Sequence, residues 1–446
     1  MEHSEWDRPS TRAERLNSDA RKWLEERDVY VPDDITMPIR KKDQNIFAVR
    51  IEEQEQEVCH GVTLHAKTIE LGDGHFTNSY NLCVSDSSEI GFEIRSTQKP
   101  QYLHKLFRDE RMYAAINAGF FYLSDESEGG PVDASFNMCV RDGRVVSLPA
   151  RSSQVIVQRN GILEAQTVEA YGTVLIGDRD VAWAGAKSGD ESNADAVLYN
   201  SACCHIYYDT TSDFRVKPRL LDHQKNTTPV AHDVCDIVVG VVNRQLRVTD
   251  IRSGGNTDFF AGNFVLHCPQ EIASRIRCGD SVDPIAVGGI AIKDIQSAIS
   301  VGAAIEDGKG DLNMLPVNND PSLANRPFLD KRTARAVAYK DVHGIHLRVF
   351  DAARDSDFFK GLTPRETYDI IMAESGDSME WGVHLDGSQS ARMMVRDEVQ
   401  KICEPYGNLH YTRWPTRALD RTDRYVFDPF RGRKVASSIC LVKHSS

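Results

Sequence analysis

The 446-residue chain lacks the run of about 18 apolar residues that a membrane-spanning helix needs; its best apolar run, Ile237 to Val242, is far shorter. Its first residues, MEHSEWDRPSTRAER, have no apolar signal core, so the expected location is cytoplasmic and no membrane partner is expected. Basic excess is missing too. The formal net charge of -13 argues against nonspecific binding to nucleic acid, although a local basic pocket for one phosphate is compatible with it. There is no C-x-x-C pair and no His-x-x-x-His pair, so no structural zinc site is expected. The ten cysteines show no framework spacing, and without a secretion signal they read as free buried thiols. Absence of a P-loop and of a dinucleotide fingerprint weakens ATPase and dehydrogenase readings. No Gly-x-Ser-x-Gly elbow occurs, although composition alone leaves a Ser-His-Asp arrangement open.

What remains is an ordinary globular composition, with 27% charged and 41% hydrophobic residues, in a chain long enough for a substantial core. Residues 1–44 read as an appendage. Thr11 and Glu14 fit a capping box, and Ala13, Leu16, Ala20, Trp23 and Leu24 recur at helical spacing. The helix either docks on the main domain or makes a homo-oligomer contact. Residues 31–44, with two prolines and mixed charges, read as a linker. Residues 45–404 form the expected main domain, and residues 405–446 a C-terminal extension.

Within the main domain most segments read as strands. Ile345, Leu347 and Val349 alternate with His346, Arg348 and Phe350, the period of a half-buried strand. With 333–339 and the turn 340–344 they predict an antiparallel hairpin. Thr363, Pro364 and Glu366 supply an N-cap, a first-turn proline and a capping-box partner for a helix ending near Gly376. A strand follows, with Trp381, Val383 and Leu385 toward the core. The same order, a helix over 101–111 and then a strand over 113–116, is expected earlier in the chain. The fold class that follows is α+β, with mixed or antiparallel sheets and flanking helices.

Three short motifs stand far apart: Ile116-Asn117-Ala118-Gly119-Phe120-Phe121, Arg332-Thr333-Ala334, and His384-Leu385-Asp386-Gly387-Ser388-Gln389-Ser390. Each sets a polar residue beside an apolar, strand-like run, and glycines near Asn117 and Asp386 would let a ligand approach the backbone. Together with VRDGRV at 140–145, GNFVLH at 262–267, the Gly279-Asp280-Ser281-Val282 turn, AISVGAAIEDG at 298–308 and GLTPRE at 361–366, they resemble the phosphodiester glycosidases over about residues 45 to 400. Those hydrolases include enzymes that remove N-acetylglucosamine from a sugar phosphodiester. Their usual motifs read Ala-Ile-Asn-Gly-Gly-Phe-Phe, Pro-Arg-Thr-Ala and Leu-Asp-Gly-Gly-Gly-Ser.

The resemblance implies a small-molecule glycosyl phosphate or nucleotide-like substrate and no cofactor, with a divalent metal left open. Cleavage needs stabilisation of oxocarbenium-like charge and a clamp on the departing phosphate. Asp386 is the candidate carboxylate, or else an Asx-turn cap for Gly387 and Ser388. Arg332 is the candidate phosphate clamp, or else a structural ion pair. Asn117 either binds a sugar hydroxyl or phosphate or serves turn chemistry. Thr333 and Ser390 offer hydroxyls, Gly119 and Gly387 offer backbone, and His384 is either an acid/base or a satisfied core histidine. Glu366 reads as a capping residue before a second carboxylate. Asp125, Glu126, Glu128 and Asp133 could carry an acid on a loop over the pocket, or be solvated; Tyr207, Tyr208 and Asp209 could form a sugar platform, or pack in a strand.

The departures bear on activity. Ala118 replaces a glycine, Ser388 and Gln389 put two side chains into a normally bare turn, and Arg335 replaces an apolar residue, which would favour a more negatively charged substrate. A catalytically degenerate protein that binds a phosphorylated sugar or nucleotide is therefore the second reading.

Overall fold

The computed structural model describes residues 39–41, 50–86, 90–121, 135–186, 194–203, 207–208, 218–219, 226–305, 332–352, 360–387, 390–397, 402–407, 411–413, 424–427 and 434–443. The expected helix over 11–24, the carboxylates of the 122–134 loop, Asp209, and Ser388 with Gln389 lie outside these residues.

Four large sheets build the fold. A six-stranded antiparallel sheet runs in the order Gln54–Cys59, Val62–Glu70, Phe76–Val84, Gly344–Phe350, Arg335–Asp341, Trp381–His384. A five-stranded sheet runs Ile402–Gly407, Arg392–Asp397, Met112–Asn117, Val435–Lys443, Ile90–Gln101. A second five-stranded sheet runs Ile162–Val168, Ser153–Arg159, Ser297–Ser300, Cys139–Arg141, Arg144–Ser147. An eight-stranded sheet runs from Gln245–Ser253 through Val234–Val242, Phe264–Pro269, Ala196–Tyr199, Arg179–Gly185, Tyr171–Ile176 and Val282–Val287 to Ile290–Ala291.

The second five-stranded sheet joins two cores because its side chains alternate. Val155, Val157, Val140 and Ala298 enter the core of the eight-stranded sheet, while Ile156, Cys139 and Ile299 enter the one shared with the other two sheets. Burial on both faces explains the unbroken apolar runs of these strands.

The architecture is therefore mostly β, and the α+β expectation with flanking helices is corrected. Among the described residues the only α-helix longer than one turn is Pro364–Ser375, which carries the expected capping box: Thr363 accepts from the Glu366 N–H, and Glu366 reaches back to the Thr363 N–H. The helix expected over 101–111 is a six-residue 3-10 helix, Leu103–Arg108. Its helix-forming residues yield to pairing, because the preceding strand extends through Pro100 to Gln101 and the next begins at Met112.

The expected hairpin exists, as Arg335–Asp341 against Gly344–Phe350. The second strand is buried on both faces rather than one, since Ile345, Leu347 and Val349 meet the large core while Phe350 meets a smaller core with Ile371 of the helix. The segment expected as a C-terminal extension supplies Val435–Lys443, which lies between Ile90–Gln101 and Met112–Asn117.

Candidate functional site

Strand ends bring the first and last motifs together. Asn117 closes the Met112–Asn117 strand and is 1% exposed. Its amide nitrogen donates to the Asp386 carbonyl at 2.6 Å, and its amide oxygen accepts from the Arg392 N–H at 2.9 Å. The Asp386 N–H donates in turn to the Ala118 carbonyl at 2.8 Å. One side chain thus ties both ends of the 386–392 segment to the first motif.

Gly119 is fixed by packing. A Cβ there would stand 2.3 Å from the Ser300 carbonyl oxygen, and the Gly119 N–H donates to Ser437 Oγ at 2.9 Å. The glycine admits a neighbouring strand rather than a ligand. Gly387 is looser: its nearest neighbour would be the Ala334 carbonyl at 3.2 Å, followed by Arg335 Nη1 at 4.0 Å. Asp386 and Gly387 are half-buried.

The polar residues near them are buried. Arg335 is 3% exposed and donates from Nε to the Leu362 carbonyl at 2.8 Å; burial pushes its guanidinium down to about 10. His384 is 3% exposed, and its Nδ1 has no hydrogen-bond partner. Burial, followed by the charge of Arg335, pushes His384 down to about 3, so the imidazole is neutral at physiological pH. Ser390 donates its N–H to the Gly387 carbonyl at 3.1 Å, while its buried hydroxyl has no partner.

Arg332 is engaged elsewhere. Its Nε lies 3.0 and 3.1 Å from the two Glu366 oxygens, Nη2 also bonds Glu366, and Nη1 lies 2.6 Å from Asp73 Oδ2. Glu366 stays below its ordinary range against the upward push of burial, because Arg332 and the Thr363 N–H both donate to it. Arg332 bonds hold Asp73 well below that range. The helix cap thus also anchors the strand that begins at Arg335. Thr333 pairs through its backbone with Leu362, at 3.1 and 2.9 Å. Tyr207 and Tyr208 do lie in a short strand, paired with Pro218–Arg219.

Ser437, Arg392 and Asp73 were not singled out by sequence reasoning. Ser437 and the Arg392 backbone act through contacts more than 270 positions away, which no local pattern signals.

A second polar cluster lies in the same six-stranded sheet. Both Asp341 Oδ1 and Cys83 Sγ approach Nε2 of His346, at 2.9 and 3.8 Å, and Nδ1 faces the Asn81 side chain. A Cys-His-Asp relay needs its partners on opposite nitrogens, and burial pushes the Cys83 thiol up to about 11, so these residues do not make a nucleophile. Cys59, Cys83, Cys139, Cys203, Cys235, Cys268, Cys278 and Cys440 are free thiols. Among the described residues no group of three or more His, Cys, Asp or Glu is placed to hold a metal, and no helix is long and apolar enough to cross a membrane.

No family model and no curated protein matches the sequence. Among solved structures, a hypothetical protein from Synechocystis aligns with a TM-score of 0.51 at 15% identity, over 88% of this chain. The alignment spans 64% of that protein's length, and it shows a shared fold. A Burkholderia pseudomallei protein conjectured to be exported gives 0.48 at 16% identity, over 82% of this chain and 74% of the other. The catalytic domain of zebrafish N-acetylglucosamine-1-phosphodiester alpha-N-acetylglucosaminidase, auto-inhibited by its pro-peptide, gives 0.40 at 9% identity, over 92% and 89%. These two are distant likenesses in structure only.

Proposed function

We propose that this chain is a glycosidase-type hydrolase that cleaves a sugar from a phosphodiester or related glycosyl phosphate, with Asp386 as its catalytic carboxylate. The observation that carries the reading is the Asn117 bridge, which holds the half-buried Asp386 in the segment that also carries His384, Gly387 and Ser390. A carboxylate there stabilises positive charge developing at the anomeric carbon, while cationic and hydroxyl groups receive the phosphate. Water adds to the anomeric carbon, and the phosphate departs with the electrons of the broken C–O bond. Because phosphate leaves readily, the step does not need an imidazolium acid, in keeping with a neutral His384. Asn117 is a positioning residue in this scheme, and Arg332 with Glu366 sets the start of the Arg335 strand.

A panel of glycosyl phosphodiesters tests the reading. Wild type should release sugar and phosphomonoester, and Asp386→Asn should lower turnover by about a hundredfold or more with little change in melting temperature. Saturable binding without product, or an Asn variant that turns over normally, would remove the catalytic assignment. Binding without product is the behaviour expected if Ser388 and Gln389 have closed the turn to chemistry.

A further inference from the structure

Two buried polar atoms at this site lack partners. Ser390 is 1% exposed and His384 3%, yet neither Ser390 Oγ nor His384 Nδ1 makes a hydrogen bond. A hydroxyl or imidazole nitrogen buried in this way loses its hydration without a replacement bond. Orphaned atoms of this kind are rare in native cores and call for a cause. His384 ends the strand Trp381–His384, and the two are linked through Gly387 and Arg335: Ser390 N–H bonds the Gly387 carbonyl, a Cβ on Gly387 would lie 4.0 Å from Arg335 Nη1, and the Arg335 charge acts on His384. A buried guanidinium and two unpartnered polar atoms are thus linked through Gly387, beside the half-buried Asp386.

We propose that Arg335, His384 and Ser390 form a subsite for the phosphoryl group of the substrate, with Arg335 supplying the positive charge and Ser390 and His384 donating hydrogen bonds. The ligand class is a compact phosphodiester monoanion. The inference rests on the glycosyl-phosphate reading and deepens it by moving the anion from Arg332 to Arg335. Arg332 already faces two carboxylates, Glu366 and Asp73, which offset its charge. His384 is neutral here and keeps one ring N–H to donate, so the tautomer with hydrogen on Nδ1 gives the orphaned atom its role. The Ser390 hydroxyl gains a charge-assisted bond where the ligand-free protein has none.

Calorimetric titration with dimethyl phosphate tests this, using wild type, Ser390→Ala, Arg335→Lys and Arg332→Gln. Ser390→Ala should weaken binding by about tenfold or more, the usual loss for a hydrogen bond to a charged group. Its melting temperature should hold or rise, because the substitution removes a hydroxyl that nothing in the protein satisfies. Arg335→Lys should weaken binding further, since an ammonium cannot present the guanidinium fork. Three outcomes overturn the subsite: no saturable binding by wild type, unchanged affinity in Ser390→Ala, or loss of affinity in Arg332→Gln with Arg335→Lys unaffected. The two readings fail separately. Dimethyl phosphate binding without turnover of any glycosyl phosphodiester leaves the subsite and removes the hydrolase; normal turnover by Ser390→Ala with unchanged KM does the reverse.

Discussion

His346 and His384 sit in neighbouring parts of one sheet, both buried, and their surroundings differ. Both ring nitrogens of His346 have partners, Asp341 at 2.9 Å and Asn81 at 3.1 Å, and its ring lies flat on Tyr339 at 4.4 Å. Asp341 is itself used up by the His343 N–H and the Ser375 hydroxyl, which ties the helix end to the sheet. His384 has an unfilled Nδ1, and six residues on the buried Ser390 hydroxyl is unfilled too. A satisfied cluster stabilises a fold; an unsatisfied one leaves capacity for a ligand.

The largest effect should come from breaking the satisfied cluster. Asp341→Ala strands His346, Ser375 and the His343 N–H together, and should cost about 3 kcal/mol of unfolding free energy in a denaturant titration. A loss under about 1 kcal/mol would remove the distinction between the clusters. Bonds from those groups hold the Asp341 carboxyl low despite burial, so its contribution is present above the ordinary carboxylate range and disappears as pH falls through its lowered value.

The pH dependence of the two histidines sharpens the comparison. His384 is held at about 3 in the fold against about 6.5 when unfolded, so the unfolded chain binds an extra proton between those values and stability declines as pH falls. The slope is about 1.4 kcal/mol per pH unit, or roughly 2 kcal/mol between pH 6.5 and 5. His384→Met should remove that share and flatten the melting curve measured against pH; identical slopes would mean that His384 is not held neutral. Burial also lowers His346, so part of the acid sensitivity should survive in the variant.

The smallest effect belongs to the cap. Glu366→Gln keeps a capping acceptor and weakens only a partly exposed ion pair to Arg332, so the loss should be under about 1 kcal/mol. A larger loss would make the Arg332 pair a principal support of the strand that carries Arg335.

Legibility in the sequence followed the range of the interaction. The helix at Pro364 was legible because Thr363, Pro364 and Glu366 signal it within four positions, and the 335–350 hairpin because its alternation is local. The 101–111 segment misled, since the helix-then-strand order assumed for it says nothing of the strands that claim both its ends. At the site, the motifs marked Asn117 and Asp386, but neither the bridge between them, 269 positions apart, nor the burial of Arg335 has a local signature. The carboxylates around Arg332 were likewise hidden, because Asp73 lies 259 positions away.

The position of Val435–Lys443 also governs when this site can exist during synthesis. Its partner strand, Met112–Asn117, and Gly119, which bonds Ser437, leave the ribosome 318 residues before that serine does. At about 5–20 residues per second, the delay is roughly 15 to 60 s. Throughout it the apolar Met112–Asn117 strand has an open edge, the kind of surface that chaperones shield and that aggregation recruits. A nascent chain of this protein is therefore most exposed to misassembly long after its first motif has been made, and the candidate site closes only once Val435–Lys443 has been made.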